Sequence, residues 1–173
     1  MLTMEQRLKN LEIPTGPADM VLDTDAYNEI DDQFAISYAL HATEKLNVLA
    51  LYAAPFFNNR SSSPADGMER SYQEILKLLR LSKLECPVYR GSDRYLPDEQ
   101  TPVASDAAKH LTELAMRYSP EKPLYVVAIG AITNVASALL MKPEIADNIV
   151  VVWLGGNALE WHDNIEFNIH QDV

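Results

Sequence analysis

The sequence predicts a single α/β domain over residues 1–173, built on a mostly parallel β-sheet with helices on both faces. Three observations lead to this prediction. Predicted strands alternate with predicted helices along the chain, and the strands are continuous apolar runs, which is typical of parallel sheets covered on both faces. The chain also has 173 residues, of which 47% are hydrophobic, enough for one substantial core.

The first half of the chain predicts three helices and two strands. Residues 4–12 have the spacing of a short amphipathic helix with Met4, Leu8 and Leu11 on one face. The apolar run at residues 20–22 predicts a buried strand. A helix is predicted from Asp31 to about residue 44, because carboxylates suit the positive end of a helix dipole. Residues 47–54 predict a second strand, and residues 64–82 a third helix.

The second half continues the alternation. Residues 87–89 predict a short strand, and residues 91–103 a loop. A helix is predicted at 104–118, a strand at 124–129, a helix at 132–141 and a last strand at 149–154. Parallel strands joined in this way are expected to have right-handed crossovers.

Charge and composition exclude several classes of function. The chain has 14 basic and 25 acidic residues, so it offers neither nucleic acid nor an anionic membrane a basic face. There is no apolar run long enough to span a membrane and no apolar secretory signal, which leads us to expect a cytoplasmic location. The single cysteine, Cys86, is interpreted as a small core residue.

Polar residues follow four of the predicted strands at the ends where parallel sheets bind ligands. The opposite strand ends offer nothing comparable. The residues concerned are Asp23, Asp25, Glu29, Asp31 and Asp32 after the first strand, Asn58 and Asn59 after the second, Gly130, Thr133 and Asn134 after 124–129, and Gly155, Gly156, Asn157, Glu166 and Asn168 after the last.

The acidic cluster after the first strand indicates a cation site. Six acidic residues and no Lys or Arg occur between Asp19 and Asp32. Carboxylates this close repel one another unless they are protonated or bind a cation, and Ca²⁺ or Mg²⁺ takes oxygen ligands. A solvated acidic loop with a helix-capping pair is the alternative. In the same way, Thr133 and Asn134 could form a helix N-cap, and Gly155 and Gly156 could be turn glycines.

The loop after the last predicted strand contains Trp161 and His162. His162 is a candidate to reach the ligand-binding edge, whereas His41 and His110 are interpreted as surface or packing residues. Trp161 could serve equally as a stacking surface or as a loop anchor.

Four motifs in order resemble those of the nucleoside hydrolase family, of the inosine–uridine-preferring type. Residues 23–32 resemble its Asp-x-Asp-Pro-Gly-x-Asp-Asp motif, and residues 129–136 its Gly-Pro-Leu-Thr-Asn motif, followed by Pro143. Residues 152–156 resemble its glycine motif, and residues 166–168 match its Glu-Phe-Asn. The resemblance covers most of residues 20–172 and corresponds to the N-terminal half of the family.

The resemblance implies a Rossmann-like nucleoside hydrolase fold and an enzyme of purine and pyrimidine salvage. It implies hydrolysis of the N-glycosidic bond of ribonucleosides to ribose and free base, with Ca²⁺ as cofactor and a calcium-bound water as nucleophile. Asp25 would be a Ca²⁺ ligand and the general base, joined at the metal by Asp32 and the Thr133 carbonyl. The residues implied to bind the ribose are Asp31, Asn58 (with Asn59 as substitute), Glu166 and Asn168, while Asp23 would orient the other carboxylates.

The sequence departs from the family pattern in two ways. The family places three residues between its second and third aspartates, but five stand here, Ala26 to Ile30, without Pro or Gly. The turn must therefore differ, and Glu29 becomes a candidate to enter the site. Family members also continue beyond the position of Val173, with a His-Asp pair that supplies a leaving-group acid and a metal ligand. The fold is thus expected to be incomplete at the C-terminus, and the chain alone nearly inactive.

Alternatives remain at this point. An aspartate-nucleophile phosphatase of the haloacid-dehalogenase type also places Asp-x-Asp after a first strand, with Mg²⁺, and a phosphatase assay would distinguish it. A non-catalytic or truncated domain that binds a ribosyl ligand is the other, and calorimetry beside a turnover assay would distinguish that. Base preference stays undetermined, and the chain could equally be a monomer or a homo-oligomer.

Overall fold

The computed structural model describes residues 2–163 and 165–172, and within them it has one five-stranded parallel sheet. The strand order is β3-β2-β1-β4-β5. The strands are β1 (Ala18–Thr24), β2 (Leu46–Ala53), β3 (Val88–Arg90), β4 (Leu124–Ala128) and β5 (Ile149–Trp153). The helices are α1 (Met4–Asn10), α2 (Ile30–His41), α3 (Pro64–Ser82), α4 (Asp106–Ala115), α5 (Thr133–Met141) and α6 (Phe167–Gln171), with a 3₁₀ turn at Pro143–Asp147.

The strand order reverses at the centre of the sheet. The chain runs outward from β1 through β2 to β3, then returns to place β4 on the other side of β1 and continues to β5. Open α/β sheets bind ligands where the strand order reverses, outside the carboxyl ends of the strands. Here that point lies between β1 and β4, and we call the side of the sheet formed by these strand ends the carboxyl edge.

Two apolar clusters lie on opposite faces of the sheet, which confirms the prediction of helices on both faces. Val21 and Val126 pack with Leu111 of α4 and Val135 of α5 on one face. The other cluster joins residues of β1 and β2 to α2 and α3, and its fully or almost fully buried members include Leu22, Ile36, Leu51 and Ile75. Half-buried Cys86 packs against this second cluster, as predicted.

Several local expectations are wrong. The face of α1 formed by Met4, Leu8 and Leu11 does not pack, because these side chains are at least 61% exposed. Helix α2 buries Ile36 on one side, but it presents Phe34 to solvent on the other. The 3₁₀ turn and α6 were not predicted, since neither has an apolar repeat of helical period.

Among the described residues no helix is long and apolar enough to cross a membrane.

Candidate active site at the carboxyl edge

Backbone hydrogen bonds hold the ends of four strands at one edge. The Ala54 N–H donates to the Thr24 carbonyl at 2.8 Å, and the Ile129 N–H donates to the Asp23 carbonyl at 2.8 Å. The Leu154 N–H donates to the Ala128 carbonyl at 2.9 Å. The loops after β1, β2, β4 and β5 therefore start side by side, as the sequence predicted.

Asp25 and Asp32 are buried carboxylates at the end of β1 and the start of α2. They are 2% and 5% exposed. Asp25 accepts a hydrogen bond from Asn28 at 3.0 Å, and Asp32 accepts one from the Thr24 hydroxyl. Burial raises the pKa of Asp25 to about 8, and the charge of Asp32 adds to the effect. Burial likewise raises the pKa of Asp32 to about 7, with a contribution from Asp31. Negative charge at this point is therefore poorly compensated by the protein.

Asp23 is fully buried on β1, two residues before Asp25. Its Oδ1 accepts from the Asn134 side-chain amide at 2.8 Å, whereas its Oδ2 has no partner among the described residues. Burial raises the pKa of Asp23 to about 7, and the charge of Asp32 raises it further. The hydrogen bond of Asp23 leads to Asn134 and not to another carboxylate. The orientation of the other carboxylates by Asp23 therefore stays a prediction.

Asn134 joins the ends of three strands from a fully buried position. Its amide N–H also donates to the Ala53 carbonyl at 3.3 Å, and its Oδ1 accepts from the Ser92 N–H at 2.7 Å. Gly91 makes room for this arrangement, because a Cβ there would lie 2.0 Å from the Ala53 oxygen and 2.4 Å from Asn134 Nδ2.

The interpretation of Thr133 and Asn134 as an N-cap is wrong. Helix α5 begins at Thr133 itself, and its N-cap residue, Ile132, makes no capping hydrogen bond through its side chain. The Thr133 hydroxyl donates to the Asp172 carboxylate, which also accepts from the Leu96 N–H at 3.2 Å. Both polar side chains are thus used for contacts between distant loops rather than to start the helix.

Residues 166–172, which we call the cross-loop segment, lie against the loops of the carboxyl edge. The Glu166 carboxylate caps α6 by accepting from Asn168 N at 2.9 Å and Ile169 N at 3.1 Å, and it accepts from Gly156 N at 2.8 Å. The Asn168 amide N–H groups donate to the carbonyls of Ile129 and Leu154. The Asn168 Oδ1 accepts no hydrogen bond from the described residues and stays available to a ligand.

Gln171 extends these contacts to two further loops. Its Oε1 accepts from the Phe57 N–H at 2.7 Å and from the Tyr95 hydroxyl. Burial, and after it the charges of Asp172 and Asp25, raise the pKa of Tyr95. The Tyr95 hydroxyl therefore lies within the electrostatic reach of both carboxylates, and the cross-loop segment connects the loops after β2, β3, β4 and β5.

The other predicted ribose ligands divide between the interior and the surface. Asn58 is half-buried and donates from its amide to Asn28 Oδ1 at 2.6 Å. Asn59 is exposed, and Asp31 is exposed at the start of α2. Glu29 does not enter the site: it is exposed and precedes α2, and Asn28 points inward instead.

The histidines make contacts elsewhere. His162 is exposed and pairs with Asp163 at 2.8 Å, and Trp161 beside it is 58% exposed. His110 stacks on Tyr89 with 4.1 Å between ring centroids, which confirms its interpretation as a packing residue. No histidine in the described ranges is hydrogen-bonded to the carboxylates after β1.

The acidic side chains after β1 offer oxygen donors, the type that hard cations take. Asp23, Asp25 and Asp32 form no ion pair with a Lys, Arg or His of the described chain, and one oxygen of Asp23 is buried without a partner. Gly130 lies close against Asp25, because a Cβ there would be 3.1 Å from both Asp25 Oδ1 and the Ala54 Cβ. Residues 2–163 and 165–172 contain no group of three His, Cys, Asp or Glu side chains that could hold a metal. The predicted set requires only two carboxylates and a carbonyl.

Three residues of this edge escaped prediction from the sequence: Asn28, Gln171 and Asp172. Asn28 lies in the lengthened turn next to Glu29, and the charge of Glu29 made that residue the candidate predicted to enter the site. Gln171 and Asp172 follow the Glu-Phe-Asn motif directly. For Asp172, the sequence offered one signal: an acidic residue close behind the Glu-Phe-Asn motif.

Comparisons with known proteins concern the family and the fold of this chain. A family model described as inosine-uridine preferring nucleoside hydrolase matches residues 20–173. The non-specific ribonucleoside hydrolase RihC of Salmonella agona is 28% identical over 184 residues, which cover 91% of this chain and 56% of RihC. The chain thus spans about half the length of the curated relatives that it matches.

Solved structures support the predicted fold. A purine-preferring ribonucleoside hydrolase from Gardnerella vaginalis has a TM-score of 0.69 and 25% identity, with coverage of 89% of this chain and 54% of that one. The type III effector protein XopQ, solved with adenosine diphosphate ribose, has a TM-score of 0.65 at 19% identity, and the match covers 99% of this chain and 57% of XopQ. At that identity the likeness concerns the fold alone.

Proposed function

Because the chain belongs to the family of inosine-uridine preferring nucleoside hydrolases, we propose that its carboxyl edge serves the hydrolysis of the N-glycosidic bond of ribonucleosides. The products are ribose and a free base. The observation that carries the proposal is the pair of buried carboxylates, Asp25 and Asp32, with no cationic partner among the described residues. The similarity to the non-specific ribonucleoside hydrolase RihC and to the purine-preferring ribonucleoside hydrolase of Gardnerella vaginalis supports it.

The proposed cofactor is Ca²⁺, held by the carboxylates of Asp25 and Asp32 and by the backbone carbonyl of Thr133. Oxygen donors of this kind are those that Ca²⁺ takes in proteins. When bound, the ion supplies Lewis-acid activation of a water molecule by lowering the pKa of that water. Burial raises the pKa of Asp25, and a cation bound beside it would favour the ionised carboxylate.

Asp25 is the proposed general base. A water oxygen forms a bond to the anomeric carbon of the ribose while the bond from that carbon to the base nitrogen breaks. The water proton passes to the Asp25 carboxylate, and the departing base keeps the bonding electron pair. Positive charge develops on the sugar ring as the bond breaks, and nearby carboxylates and amide oxygens stabilise that charge.

The ribose is proposed to bind between the loops after β1, β2 and β5. Asp31 and Asn58 would contact its hydroxyls from one side, and Asn168 from the other through its unused Oδ1. Glu166 would add its carboxylate, although both oxygens already accept backbone N–H groups. We expect Glu166 to act mainly by fixing Asn168, and less by direct contact.

No histidine of the described chain is hydrogen-bonded to the carboxylates after β1, so we assign no histidine to protonate the departing base. General acid catalysis contributes about 10²–10⁴-fold to such reactions. Turnover by this chain is therefore expected to be slow, and binding of a ribosyl ligand without turnover is the second candidate function. The observation that favours this candidate is that no histidine of the described chain contacts the cluster.

One set of measurements on the 173-residue chain tests the proposal. Calorimetry with Ca²⁺, then with ribose in the presence of Ca²⁺, measures binding. A reducing-sugar assay with inosine and uridine measures turnover, and hydrolysis of an aryl phosphate tests the phosphatase alternative. Binding of Ca²⁺ and ribose with slow, Ca²⁺-dependent release of ribose is the expected result. Binding without release would favour the second candidate, and absence of both would contradict the proposal.

A further inference from the structure

The turn between β1 and α2 folds inward at Asn28. Asn28 is 3% exposed, whereas the neighbouring Tyr27 is 40% exposed. The Asn28 backbone N–H donates to the Asp25 carbonyl at 2.7 Å and closes the turn. The five residues between Asp25 and Asp31 thus bring an uncharged amide side chain to the buried carboxylates.

The Asn28 side chain connects Asp25 to Asn58. Its Nδ2 donates to Asp25 Oδ2 at 3.0 Å, and its Oδ1 accepts from Asn58 Nδ2 at 2.6 Å. The direction of both bonds follows from the partners. Asn58 Oδ1 already accepts from the Arg60 N–H at 2.8 Å, so the NH₂ group of Asn58 is the one that faces Asn28. A carboxylate can only accept, so the NH₂ group of Asn28 faces Asp25.

The two contacts use the two ends of the side-chain amide, with the NH₂ group toward Asp25 and the oxygen toward Asn58. Aspartate would place a second carboxylate against Asp25, and alanine would leave a buried acceptor and a buried donor without partners. The Arg60 guanidinium also donates to the Asn28 backbone carbonyl. All four polar groups of Asn28 are therefore hydrogen-bonded, and its position is fixed from both loops.

We propose that Asn28 is a positioning residue that orients the Asp25 carboxylate and the Asn58 amide as one unit. The inference rests on the proposed function, because Asp25 is the proposed base and metal ligand and Asn58 a proposed ribose ligand. Asn58 has no direct hydrogen bond to Asp25 within the described chain, so it acts on Asp25 through Asn28.

A double-mutant cycle on Ca²⁺ affinity tests the connection. We expect Asn28→Ala to weaken Ca²⁺ binding about 10–100-fold in calorimetry, the range for residues that orient metal ligands. Asn58→Ala is expected to weaken it less, and to add nothing when Asn28 is already alanine. The matched control is Asn47→Ala, which removes an Asn–Asp hydrogen bond of 2.7 Å, to Asp19, at the opposite edge of the sheet. This control should leave Ca²⁺ affinity unchanged.

A second measurement is independent of the metal. In the Ca²⁺-free protein, the NMR signal of the Asn28 side-chain amide, identified by its loss in Asn28→Ala, should shift in Asn58→Ala and in Asp25→Asn but not in Asn47→Ala. Additive effects of the two alanine variants on Ca²⁺ affinity, or no effect of either, would overturn the inference. If the unsubstituted chain binds no Ca²⁺, the proposed metal site is absent, and the NMR signal of the Asn28 amide then decides the inference about Asn28. An amide signal that neither Asn58→Ala nor Asp25→Asn shifts would overturn that inference.

Discussion

Two groups of acidic residues share the carboxyl edge, and they differ in what surrounds their oxygen atoms. Glu166 and Asp172, in or beside α6, accept hydrogen bonds from backbone N–H groups, and Asp172 also from a hydroxyl. Asp23, Asp25 and Asp32, around the end of β1, have few donors and no ion pair within the described chain. The two groups lie in neighbouring loops of the same fold.

The difference concerns how far the protein offsets the cost of burying a carboxylate. Donation from backbone N–H groups offsets part of that cost at Glu166 and Asp172, although burial still raises the pKa of Asp172. Asp23, Asp25 and Asp32 have fewer such donors, and burial raises their pKa values to about 7 or 8. On the proposed function, a bound cation would supply positive charge at the cluster after β1, and the cross-loop segment would hold the loops around it.

The largest expected effect comes from Asp25→Asn. This substitution removes the proposed base and one metal ligand, so ribose release should fall by about 10²–10⁴-fold. The increase in Tm on addition of Ca²⁺ should disappear. Reducing-sugar and thermal-unfolding assays measure the two effects. Asp93→Asn, at an exposed side chain paired with Arg94, is the control and should change neither. A Ca²⁺-dependent Tm that survives Asp25→Asn would place the cation elsewhere.

The next effect is a dependence of stability on pH in Ca²⁺-free buffer. Folding raises the pKa of Asp25 to about 8 and those of Asp23 and Asp32 to about 7, so the folded chain binds protons more tightly than the unfolded chain. The stabilisation is complete below about pH 4 and is lost as the pH rises through 7 to 8. A loss of even 2 kcal/mol would lower the Tm by about 4–8 °C.

Thermal unfolding at several pH values, with and without Ca²⁺, measures this dependence. Saturating Ca²⁺ should reduce the loss at pH 8, because the cation stabilises the ionised carboxylates. A Tm that is constant or rises between pH 5 and pH 8 without Ca²⁺ would show that these carboxylates are compensated in solution, and the contrast between the two acidic groups would then fail.

The smallest expected effect on stability concerns Glu166, whose carboxylate accepts backbone N–H groups. Glu166→Gln replaces one accepting oxygen by an NH₂ group that faces backbone N–H donors, and loss of a helix cap costs about 1 kcal/mol. The Tm should fall by about 2–4 °C, equally with and without Ca²⁺. The exposed Glu160 supplies the control substitution, Glu160→Gln. If Ca²⁺ abolishes the loss of stability in Glu166→Gln, Glu166 would belong with Asp25 among the carboxylates that respond to the cation, which contradicts the contrast.

The sheet and its ligand-binding edge could be predicted because the signals are local. The buried strands are apolar runs, and the polar residues at their ends follow directly in the sequence, as with Asp25 after β1. The resemblance to the family motifs added the expected roles of these residues. The predicted bounds of α3, residues 64–82, agree with the structure, since its apolar residues repeat at helical spacing.

Side-chain hydrogen bonds between loops could not be predicted. Asn134 follows a threonine at a helix start, which is also the pattern of an N-cap, and its actual partners Ser92 and Asp23 are 42 and 111 residues away. Asn28 is a small polar residue in a turn, where such residues are common for backbone reasons. The direction in which each amide points is decided by distant donors and acceptors, and no local pattern records them.

The contacts of the cross-loop segment have a consequence for the order of folding during synthesis. Gln171 reaches back 114 residues to Phe57 and 76 to Tyr95, and Asp172 reaches back 39 residues to Thr133. A ribosome makes the chain from the N-terminus, so the strands of the sheet can pair before residues 171 and 172 are synthesised. The contacts of the cross-loop segment thus form after those of the five strands, and the acidic cluster stays open to water and ions while the nascent sheet assembles.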